Sequence, residues 1–326
     1  MKAIVVQGTN QEPELVWEDV PDVEFGADEV LVNVKATAVN RADLLQARGG
    51  YSPPDGASQI LGLEMAGVIA ALGEDVEEWE VGDHVCALLP GGGYAQQVNV
   101  PANMLLRMPE DWTFAQGTAV PEVWFTAYVN LFLEGDLQAG ESVLIHAGAS
   151  GVGTAAIQLA KAVEATVFVT SSSARKLDFC RELGADFTIN YKEEDFLARV
   201  LEETGNKGVN LILDPVGGSY LDRNTKALAR YGRLVNIGLL GGPNGEMNVA
   251  LLLMKRLHLI GSTLRSRSPA EKAKITEQFE SGFWPLLRNG ELNPIIDKMF
   301  SIQEAQQAHE YVEQNKNIGK VILTVA

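Results

Sequence analysis

Two hydrophobic patterns follow one another along the chain, and the first is typical of strands. Residues 2–7 form a run of β-forming residue types, and residues 29–36 alternate between apolar and polar positions. Two further apolar runs, 65–72 and 85–89, end at glycine-containing turns. A period of two indicates half-buried β-strands, and short strands closed by such turns favour a compact β-rich domain.

The second pattern begins near residue 141 and repeats a strand, a glycine-containing turn and an amphipathic helix. Strands and helices that alternate at this length indicate a parallel sheet covered on both faces, which is a doubly wound domain. The predicted strands are 142–146, 166–170, 188–190, 209–213 and 233–237, and the predicted helices are 151–163, 175–183, 193–203 and 220–230.

The pattern loosens after a predicted strand at 257–261. Ser268, followed by Pro269 and Glu271, predicts the start of a helix that continues as an amphipathic stretch to residue 287. A last strand is predicted at 320–325. We therefore predict an α/β fold in which a doubly wound domain is inserted into a β-rich one. The predicted segments are 1–120 for the first part of the β-rich domain, 121–261 for the doubly wound domain and 262–326 for the return.

Length and charge narrow the class of protein. A chain of 326 residues with 46% apolar residues is long enough for two domains, and no apolar run approaches the roughly 18 residues of a membrane helix. The strand-like start does not resemble a signal peptide, so we expect a cytoplasmic protein. The net charge of −17 argues against nucleic acid or an anionic membrane as the main partner, because like charges repel.

The chain has two cysteines, Cys86 and Cys180, far apart in the sequence. Two are too few for a disulfide framework or for a four-cysteine zinc site. We expect both to be small buried apolar residues rather than redox groups.

A glycine-rich loop follows the predicted strand 142–146 and opens the next helix. Its residues Gly148, Ser150, Gly151, Val152 and Gly153 have the spacing GxxGxG. Glycines allow the backbone to approach a pyrophosphate, and the start of the helix supplies N–H donors. A turn without a ligand is the alternative, but the order of strand, turn, helix and strand favours a dinucleotide.

The end of the next strand indicates which dinucleotide is bound. An acidic residue there would hold the ribose hydroxyls of NAD, whereas residues 170–176 contain hydroxyl groups and cations without a carboxylate. Ser172, Ser173 and Lys176 are the candidates for holding a 2′-phosphate, which an acid would repel. The alternative is a serine helix cap followed by solvated cations. We expect NADPH as the cofactor.

At this point the chain resembles the medium-chain dehydrogenase/reductase superfamily along essentially its full length. It is most similar to the branch of zinc-independent quinone oxidoreductases that includes zeta-crystallin and a tumour-suppressor-inducible quinone oxidoreductase. The stretches that carry the resemblance are Asn40-Arg41-Ala42-Asp43, Tyr51-Ser52-Pro53-Pro54, Leu61-Gly62-Leu63-Glu64, 87–93, 147–153, 189–195, 210–214, Leu264-Arg265-Ser266-Arg267 and 315–320.

The resemblance implies a GroES-like catalytic domain formed by both chain ends, a Rossmann domain between them and a cleft where the two meet. It also implies a homodimer in which two Rossmann sheets join edge to edge. Zinc-using relatives have a cysteine where Asn40 stands, a histidine where Leu63 stands and a third ligand near residues 121–124. Because two of these three ligands are absent, we expect no metal site.

Without a metal, the acceptor must take up the hydride through its own conjugation, as quinones and enones do. The protein then has to position the acceptor, exclude water and stabilise negative charge on its oxygen. Asn40, Asp43 and Tyr51 are the candidate catalytic residues. Each has a structural alternative: Asn40 as a helix N-cap, Asp43 as an acid in the first turn of that helix, and Tyr51 as a ring packed under a loop.

Further cofactor contacts are assigned around these motifs. We expect Tyr191 near the adenosine, Gly238 and Leu239 beside the nicotinamide, and Leu264 and Ser266 opposite them in the other domain. By resemblance, Asn317 and Lys320 also reach the cofactor, although Lys320 alone could be a surface residue.

These residues predict an NADPH:quinone oxidoreductase that acts on a small-molecule quinone or conjugated carbonyl. The alternatives left open are an NADPH-dependent reductase of alkenals or enones and a non-catalytic NADPH-binding protein.

Overall fold

The computed structural model describes residues 1–326, which form two compact units. Unit 1 comprises Met1–Phe125 and Leu264–Ala326, and unit 2 comprises Thr126–Thr263. The strands are β1 (Lys2–Gly8), β2 (Pro13–Asp19), β3 (Glu29–Val39), β4 (Glu64–Leu72), β5 (His84–Leu88), β6 (Gln97–Pro101), β7 (Leu105–Arg107), β8 (Ser142–Ile145), β9 (Thr166–Ser171), β10 (Phe187–Asn190), β11 (Val209–Asp214), β12 (Leu228–Asn236), β13 (His258–Gly261), β14 (Ile296–Ser301) and β15 (Lys320–Thr324).

Eleven α-helices accompany these strands, and none of them is both long and apolar enough to cross a membrane. They are α1 (Arg41–Ala47), α2 (Phe114–Thr118), α3 (Pro121–Tyr128), α4 (Gly151–Ala162), α5 (Ala174–Glu182), α6 (Phe196–Glu203), α7 (Leu221–Ala227), α8 (Val249–Lys255), α9 (Pro269–Gly282), α10 (Trp284–Arg288) and α11 (Ala305–Glu313).

Unit 1 is built on a sheet of seven strands in the order β14-β15-β3-β4-β5-β7, with β6 also paired to β3. Apart from the parallel pair β14 and β15, neighbouring strands are antiparallel. The long central strand β3 alternates between buried and more exposed residues over its first half, as its sequence predicts, and its last four residues are all buried. All four pair with β15, and Ala36 and Thr37 also pair with β4.

Unit 2 contains six parallel strands in the order β10-β9-β8-β11-β12-β13. In chain order this is the arrangement 3-2-1-4-5-6, in which the connections reverse direction between β8 and β11. Its buried core includes Leu144, Phe168, Ile212 and Leu234 from four neighbouring strands. The predicted α/β fold is confirmed, and with it the parallel sheet read from residues 141 onwards.

Three predicted boundaries were wrong. Residues 228–230 belong to β12 and not to the preceding helix, because Leu228 is buried and pairs with Val209 of β11. Helix α6 begins at Phe196 and not at residue 193, since the side chain of Asp195 caps it by accepting a hydrogen bond from the N–H of Leu197. The stretch predicted as continuous to residue 287 breaks after Gly282, and Pro285 lies in the first turn of α10.

Candidate functional site

The ends of three neighbouring strands bring polar side chains together inside unit 1. Strand β3 ends at Val39, directly before Asn40, and its antiparallel neighbours β4 and β15 begin at Glu64 and Lys320. The pairing of Val39 with Val321 therefore sets Lys320 beside Asn40, although 280 positions separate them in sequence. Glu64 and Lys320 are 0% and 3% exposed.

These side chains form a closed set of short polar contacts. Lys320 Nζ lies 2.6 Å from Glu64 Oε1 and donates to Asn40 Oδ1 at 2.6 Å. The amide of Asn40 donates in turn to Glu64 Oε1 at 2.8 Å. A buried charge is tolerated only when it is paired and hydrogen-bonded, and here the ammonium and the carboxylate satisfy each other.

Glu122 completes this cluster from the first turn of α3. Its backbone N–H donates to Glu64 Oε2 at 2.9 Å, so the second oxygen of Glu64 is also satisfied. Glu122 Oε2 is buried and has no hydrogen-bond partner. Burial, and then the nearby charge of Glu64, raises the pKa of Glu122 to about 8. At neutral pH this carboxyl group therefore holds its proton.

Asp43 hydrogen-bonds to the backbone on both sides of the cluster. Its Oδ2 accepts the N–H of Asn40 at 2.8 Å, and its Oδ1 accepts the N–H of Gly62 at 2.9 Å. Burial raises the pKa of Asp43 to about 6, against the lowering effect of these two N–H donors. Asn40 does occupy the N-cap position of α1, with Asp43 in the first turn, as the structural alternatives predicted. The amide of Asn40 nevertheless points to Glu64 and Lys320.

Tyr51 lies in the loop after α1 and packs against an arginine. The guanidinium of Arg265 is 5.2 Å from the centre of the Tyr51 ring and is held by the carbonyl of Pro90 and the amide of Gln46. The pKa of Tyr51 is raised by burial and then by the charge of Glu122, and it is lowered in part by Arg265. The half-buried ring of Tyr51 therefore lies within the electrostatic reach of Glu122.

The glycine-rich loop of unit 2 connects β8 to α4. Ser150 is the N-cap of α4, and its hydroxyl accepts the N–H of Gly153 at 3.0 Å. A Cβ on Gly153 would lie 2.5 Å from the carbonyl oxygens of Ala147 and Gly148, and one on Gly148 would lie 2.8 Å from Val169. Both glycines are thus required for the loop to fold back closely, and Gly151 and Val152 begin the helix whose free N–H groups can hold a pyrophosphate.

The other predicted cofactor residues of unit 2 follow the carboxyl ends of neighbouring strands. Ser172 and Ser173 follow β9, Tyr191 follows β10, and Gly238 and Leu239 follow β12. Lys176 lies in the first turn of α5. Ser173 holds the N-cap position of α5, but its side chain makes no capping hydrogen bond, so capping does not account for this serine. In doubly wound sheets the ligand binds at the carboxyl ends of the strands, next to the point where the strand order reverses. The residue types at these strand ends fit a dinucleotide.

A buried hydrogen-bond network lies at the carboxyl end of β11. Asp214, at the end of β11, accepts the N–H groups of Val216 and Gly217 and the amide of Asn224. Asn224 also contacts His146 Nε2 at 2.8 Å, and burial lowers the pKa of this histidine, so it stays neutral. His146 is thus held neutral within this hydrogen-bond network.

Four predicted cofactor residues belong to unit 1, namely Leu264, Ser266, Asn317 and Lys320. Leu264 is buried, and the amide of Asn317 donates to the carbonyl of Gly319. The surface alternative for Lys320 is wrong, because its ammonium is buried in the ion pair with Glu64.

Sequence reasoning did not select Glu64, Glu122, Arg265 or Lys272 as site residues. The sequence carries a signal for the two acids, since each stands alone within an apolar run, Leu61–Ala66 and Ala119–Phe125. A single charge in such a run is expected to be paired or to have a shifted pKa. Lys272 donates to the carbonyl of Arg265 at 2.7 Å, a contact that no local pattern indicates.

The residues at the positions where zinc-using relatives carry their ligands do not fit a zinc ion. No group of three or more histidine, cysteine, aspartate or glutamate side chains is arranged to hold a metal. Leu63 is a buried aliphatic residue, and the side chain of Asn40 is engaged by Glu64 and Lys320.

Two family models match the chain, one in each part. Residues 26–110 match the alcohol dehydrogenase GroES-like domain, and residues 151–281 match the zinc-binding dehydrogenase family.

Among curated proteins, the chain is similar to the synaptic vesicle membrane protein VAT-1 homolog of Rattus norvegicus. The two are 31% identical over 312 residues, which cover 91% of this chain and 77% of the relative. The Danio rerio counterpart is 32% identical, but the chain spans only 64% of its length. A quinone oxidoreductase-like protein 2 homolog of Nematostella vectensis is 29% identical, with 95% of this chain and 85% of the relative covered.

Solved structures share the fold over essentially the whole chain. A quinone oxidoreductase of Escherichia coli complexed with NADPH has a TM-score of 0.87 at 27% identity, with 99% of both chains covered. An NAD-dependent alcohol dehydrogenase has a TM-score of 0.87 at 30% identity, with both chains fully covered. The enoyl reductase of CurK has a TM-score of 0.86 at 28% identity and covers 100% of this chain and 98% of its own.

The GroES-like fold of unit 1 and the Rossmann-like sheet of unit 2 are thereby confirmed, and the chain belongs to the medium-chain dehydrogenase/reductase superfamily as one of its oxidoreductases.

Proposed function

We propose that the protein transfers hydride from NADPH to a quinone, or to a closely similar conjugated carbonyl, without using zinc. The observation that carries this proposal is the buried ammonium of Lys320, bound to Glu64 and Asn40. Zinc-using relatives have a metal ligand in place of Asn40. In this chain Asn40 contacts Lys320 instead, and the ammonium of Lys320 neutralises Glu64. The acceptor must then delocalise the incoming electrons itself, and quinones do so well.

The preference for NADPH rests on the segment 170–176 and not on overall similarity. The similar structures include one described with NADPH and one described as NAD-dependent, at comparable TM-scores. Ser172, Ser173 and Lys176 provide hydroxyl groups and a cation next to the glycine-rich loop, with no carboxylate to repel a 2′-phosphate.

The roles in unit 1 follow from the contacts of each side chain. Bound NADPH supplies the hydride. Tyr51, stacked on Arg265, offers a flat and partly apolar surface on which a quinone ring can lie. The guanidinium of Arg265 holds that ring in place and adds positive charge where the acceptor oxygen becomes negative. Asn40 and Asp43 keep the loops around Tyr51 and Glu64 in register and act as positioning residues.

A screen of acceptors with the purified protein tests the proposal. NADPH oxidation is measured with ortho-quinones, para-quinones and enones side by side, in the presence and absence of a strong chelator, with zinc content determined by elemental analysis. We expect quinone reduction that the chelator leaves unchanged and no stoichiometric zinc. Preference for enones would instead favour double-bond reduction, as the similarity to an enoyl reductase suggests. NADPH binding without turnover of any acceptor would favour a non-catalytic role.

We also propose that the protein is a cytoplasmic homodimer. Both cysteines are free and buried, which fits a reducing compartment. Strand β13 lies at the edge of the unit 2 sheet with mostly exposed side chains, which fits pairing with a second copy.

A further inference from the structure

We propose that Glu122 is the proton donor of the reaction and protonates the oxygen of the acceptor as that oxygen becomes negative. This inference rests on the proposed function, because it needs an acceptor that is reduced beside Tyr51.

Three carboxyl groups lie in the buried cluster of unit 1, and two of them are fully engaged. Glu64 accepts from Lys320 and Asn40 at one oxygen and from the N–H of Glu122 at the other. Each oxygen of Asp43 accepts a backbone N–H. Glu122 differs from both, since its Oε2 is buried without a hydrogen-bond partner. An unpaired, buried carboxyl oxygen favours the protonated acid, which has a proton to give.

The charges around Glu122 decide which member of the cluster is ionised. The ammonium of Lys320 contacts Glu64, so the negative charge of the pair stays on Glu64 and works against a second charge on Glu122. Burial acts in the same direction and is the larger cause. The charged groups that act on Glu122 or are affected by its charge are Glu64 of β4, Asp43 of α1, Lys320 of β15, Lys272 of α9, and Tyr51 and Arg265 of the flanking loops.

Glu122 is joined to the cluster through Glu64 and also acts electrostatically on the residues that we assign to the acceptor. Its charge contributes to the raised pKa of Tyr51 and acts on Arg265. An acceptor ring on Tyr51 would therefore be subject to an arginine that favours a negative oxygen and to an acid whose proton we assign to that oxygen. When a conjugated carbonyl accepts a hydride, its oxygen becomes negative, and both a nearby positive charge and a proton donor stabilise that oxygen.

The proposed step balances for a quinone. The acceptor gains two electrons and one hydrogen as hydride from NADPH and a second hydrogen as the proton of Glu122. The O–H bond of Glu122 breaks, an O–H bond forms on the acceptor, and the hydroquinone leaves. Glu122 remains as a carboxylate and recovers a proton from water before the next turnover.

Infrared spectroscopy of the protein without any ligand tests the protonation of Glu122 independently of activity. We expect the C=O stretch of a buried carboxylic acid at neutral pH, its loss as the pH rises through about 8, and its absence in Glu122→Gln. The exposed Glu110→Gln provides the matched control and should keep the band. Absence of the band in the wild type, or its persistence in Glu122→Gln, would overturn the proposal.

Kinetics then test the transfer itself. In Glu122→Gln we expect quinone reduction to fall at least tenfold, with NADPH affinity within about twofold of the wild type, and Glu122→Asp should recover part of the rate. The wild-type rate should decline above a pH of about 8, and that decline should be missing in the glutamine variant. Wild-type kinetics in Glu122→Gln would overturn the assignment of Glu122 as the proton donor and leave the proposed function standing. Failure of the wild type to reduce any acceptor would overturn both the proposed function and this role.

Discussion

At the scale of single residues, Lys320 and Glu64 place one charge of each sign in the interior of unit 1. Such a pair adds little net stability, because removing both ions from water offsets most of their attraction. Removing only one of the two charges is strongly destabilising, because the other charge then remains buried and unpaired.

Lys320→Met should therefore lower the free energy of unfolding by about 3–5 kcal/mol, since it leaves the Glu64 carboxylate buried and unpaired. The double variant Lys320→Met/Glu64→Gln should regain most of that loss. Urea denaturation provides the measurement, with the exposed Lys35→Met of the neighbouring strand as control. Equal losses in the single and double variants would show that packing, and not the unpaired charge, dominates.

Glu122 makes a second contribution to stability, and this one depends on pH. Burial raises the pKa of Glu122 from 4.5 to about 8, so in that interval the folded protein holds a proton that the unfolded chain has released. The free energy of unfolding must then fall as the pH rises toward 8, by up to about 1.4 kcal/mol per pH unit, and become level above it.

Urea denaturation between about pH 7 and about pH 8 measures this slope, where Asp43, with a pKa of about 6, is already mostly ionised. We expect a shallower slope in Glu122→Gln than in the wild type, and the same slope in Glu110→Gln. Parallel profiles for wild type and Glu122→Gln would contradict the raised pKa.

Tyr51 is the residue at which function and packing predict different outcomes. If its ring orients the acceptor, Tyr51→Ala should lower quinone turnover tenfold or more, which is at least about 1.4 kcal/mol of transition-state stabilisation. NADPH affinity should change far less. Retained activity in Tyr51→Phe would indicate stacking, and a loss equal to that of alanine would indicate a hydrogen bond from the hydroxyl. A lower melting temperature with intact turnover in Tyr51→Ala would identify the ring as a loop anchor.

At the scale of elements, the strand and helix periodicities of the sequence predicted most of the fold. The alternation at 29–36 and the repeated strand–helix pattern from 142 to 213 correspond to β3 and to the succession from β8 to β11. What the pattern missed has a local cause. Strand β2 has a single buried residue and helix α8 has none, so neither shows a clear periodicity.

The cluster around Lys320 could not be predicted from local pattern for a different reason. It depends on the register of β15 against β3, which joins residues 280 positions apart. Sequence resemblance pointed to Lys320 and Asn40 as separate site residues, but only the pairing of the strands reveals that they contact each other. The isolated position of Glu122 in an apolar run indicates that it is paired or has a shifted pKa, but its protonation depends on Glu64 from another element.

The segment that follows β9 gives a prediction at this scale. We expect NADPH to bind at least tenfold more tightly than NADH, since a charged pairing with the 2′-phosphate contributes roughly 1.5–3 kcal/mol. Lys176→Ala should remove most of this preference and leave NADH affinity unchanged. Fluorescence titration of both coenzymes measures it, with the exposed Lys192→Ala as control. Equal affinities of the wild type for both coenzymes would refute the assignment.

At the scale of the whole molecule, the β13 edge of the unit 2 sheet is open and lies beside exposed apolar side chains. Strand β13 is an edge strand with one side open to pairing, and three of its four residues are exposed. The preceding helix α8 adds Val249, Leu253 and Met254, which are 59%, 74% and 66% exposed. An open strand beside exposed apolar side chains is a surface that proteins normally cover.

A second copy of the chain can cover this surface, because two β13 strands related by a twofold axis would pair and extend both sheets. We expect a mass in solution of twice that of a single chain, measured by light scattering after gel filtration. Leu259→Lys should shift the population toward monomers by placing a charge on the pairing strand. Val81→Lys, at a more exposed apolar position of unit 1, should leave the dimer intact. A wild-type monomer at every concentration tested would contradict the dimer. Dimers in Leu259→Lys as stable as those of the wild type would move the interface away from β13.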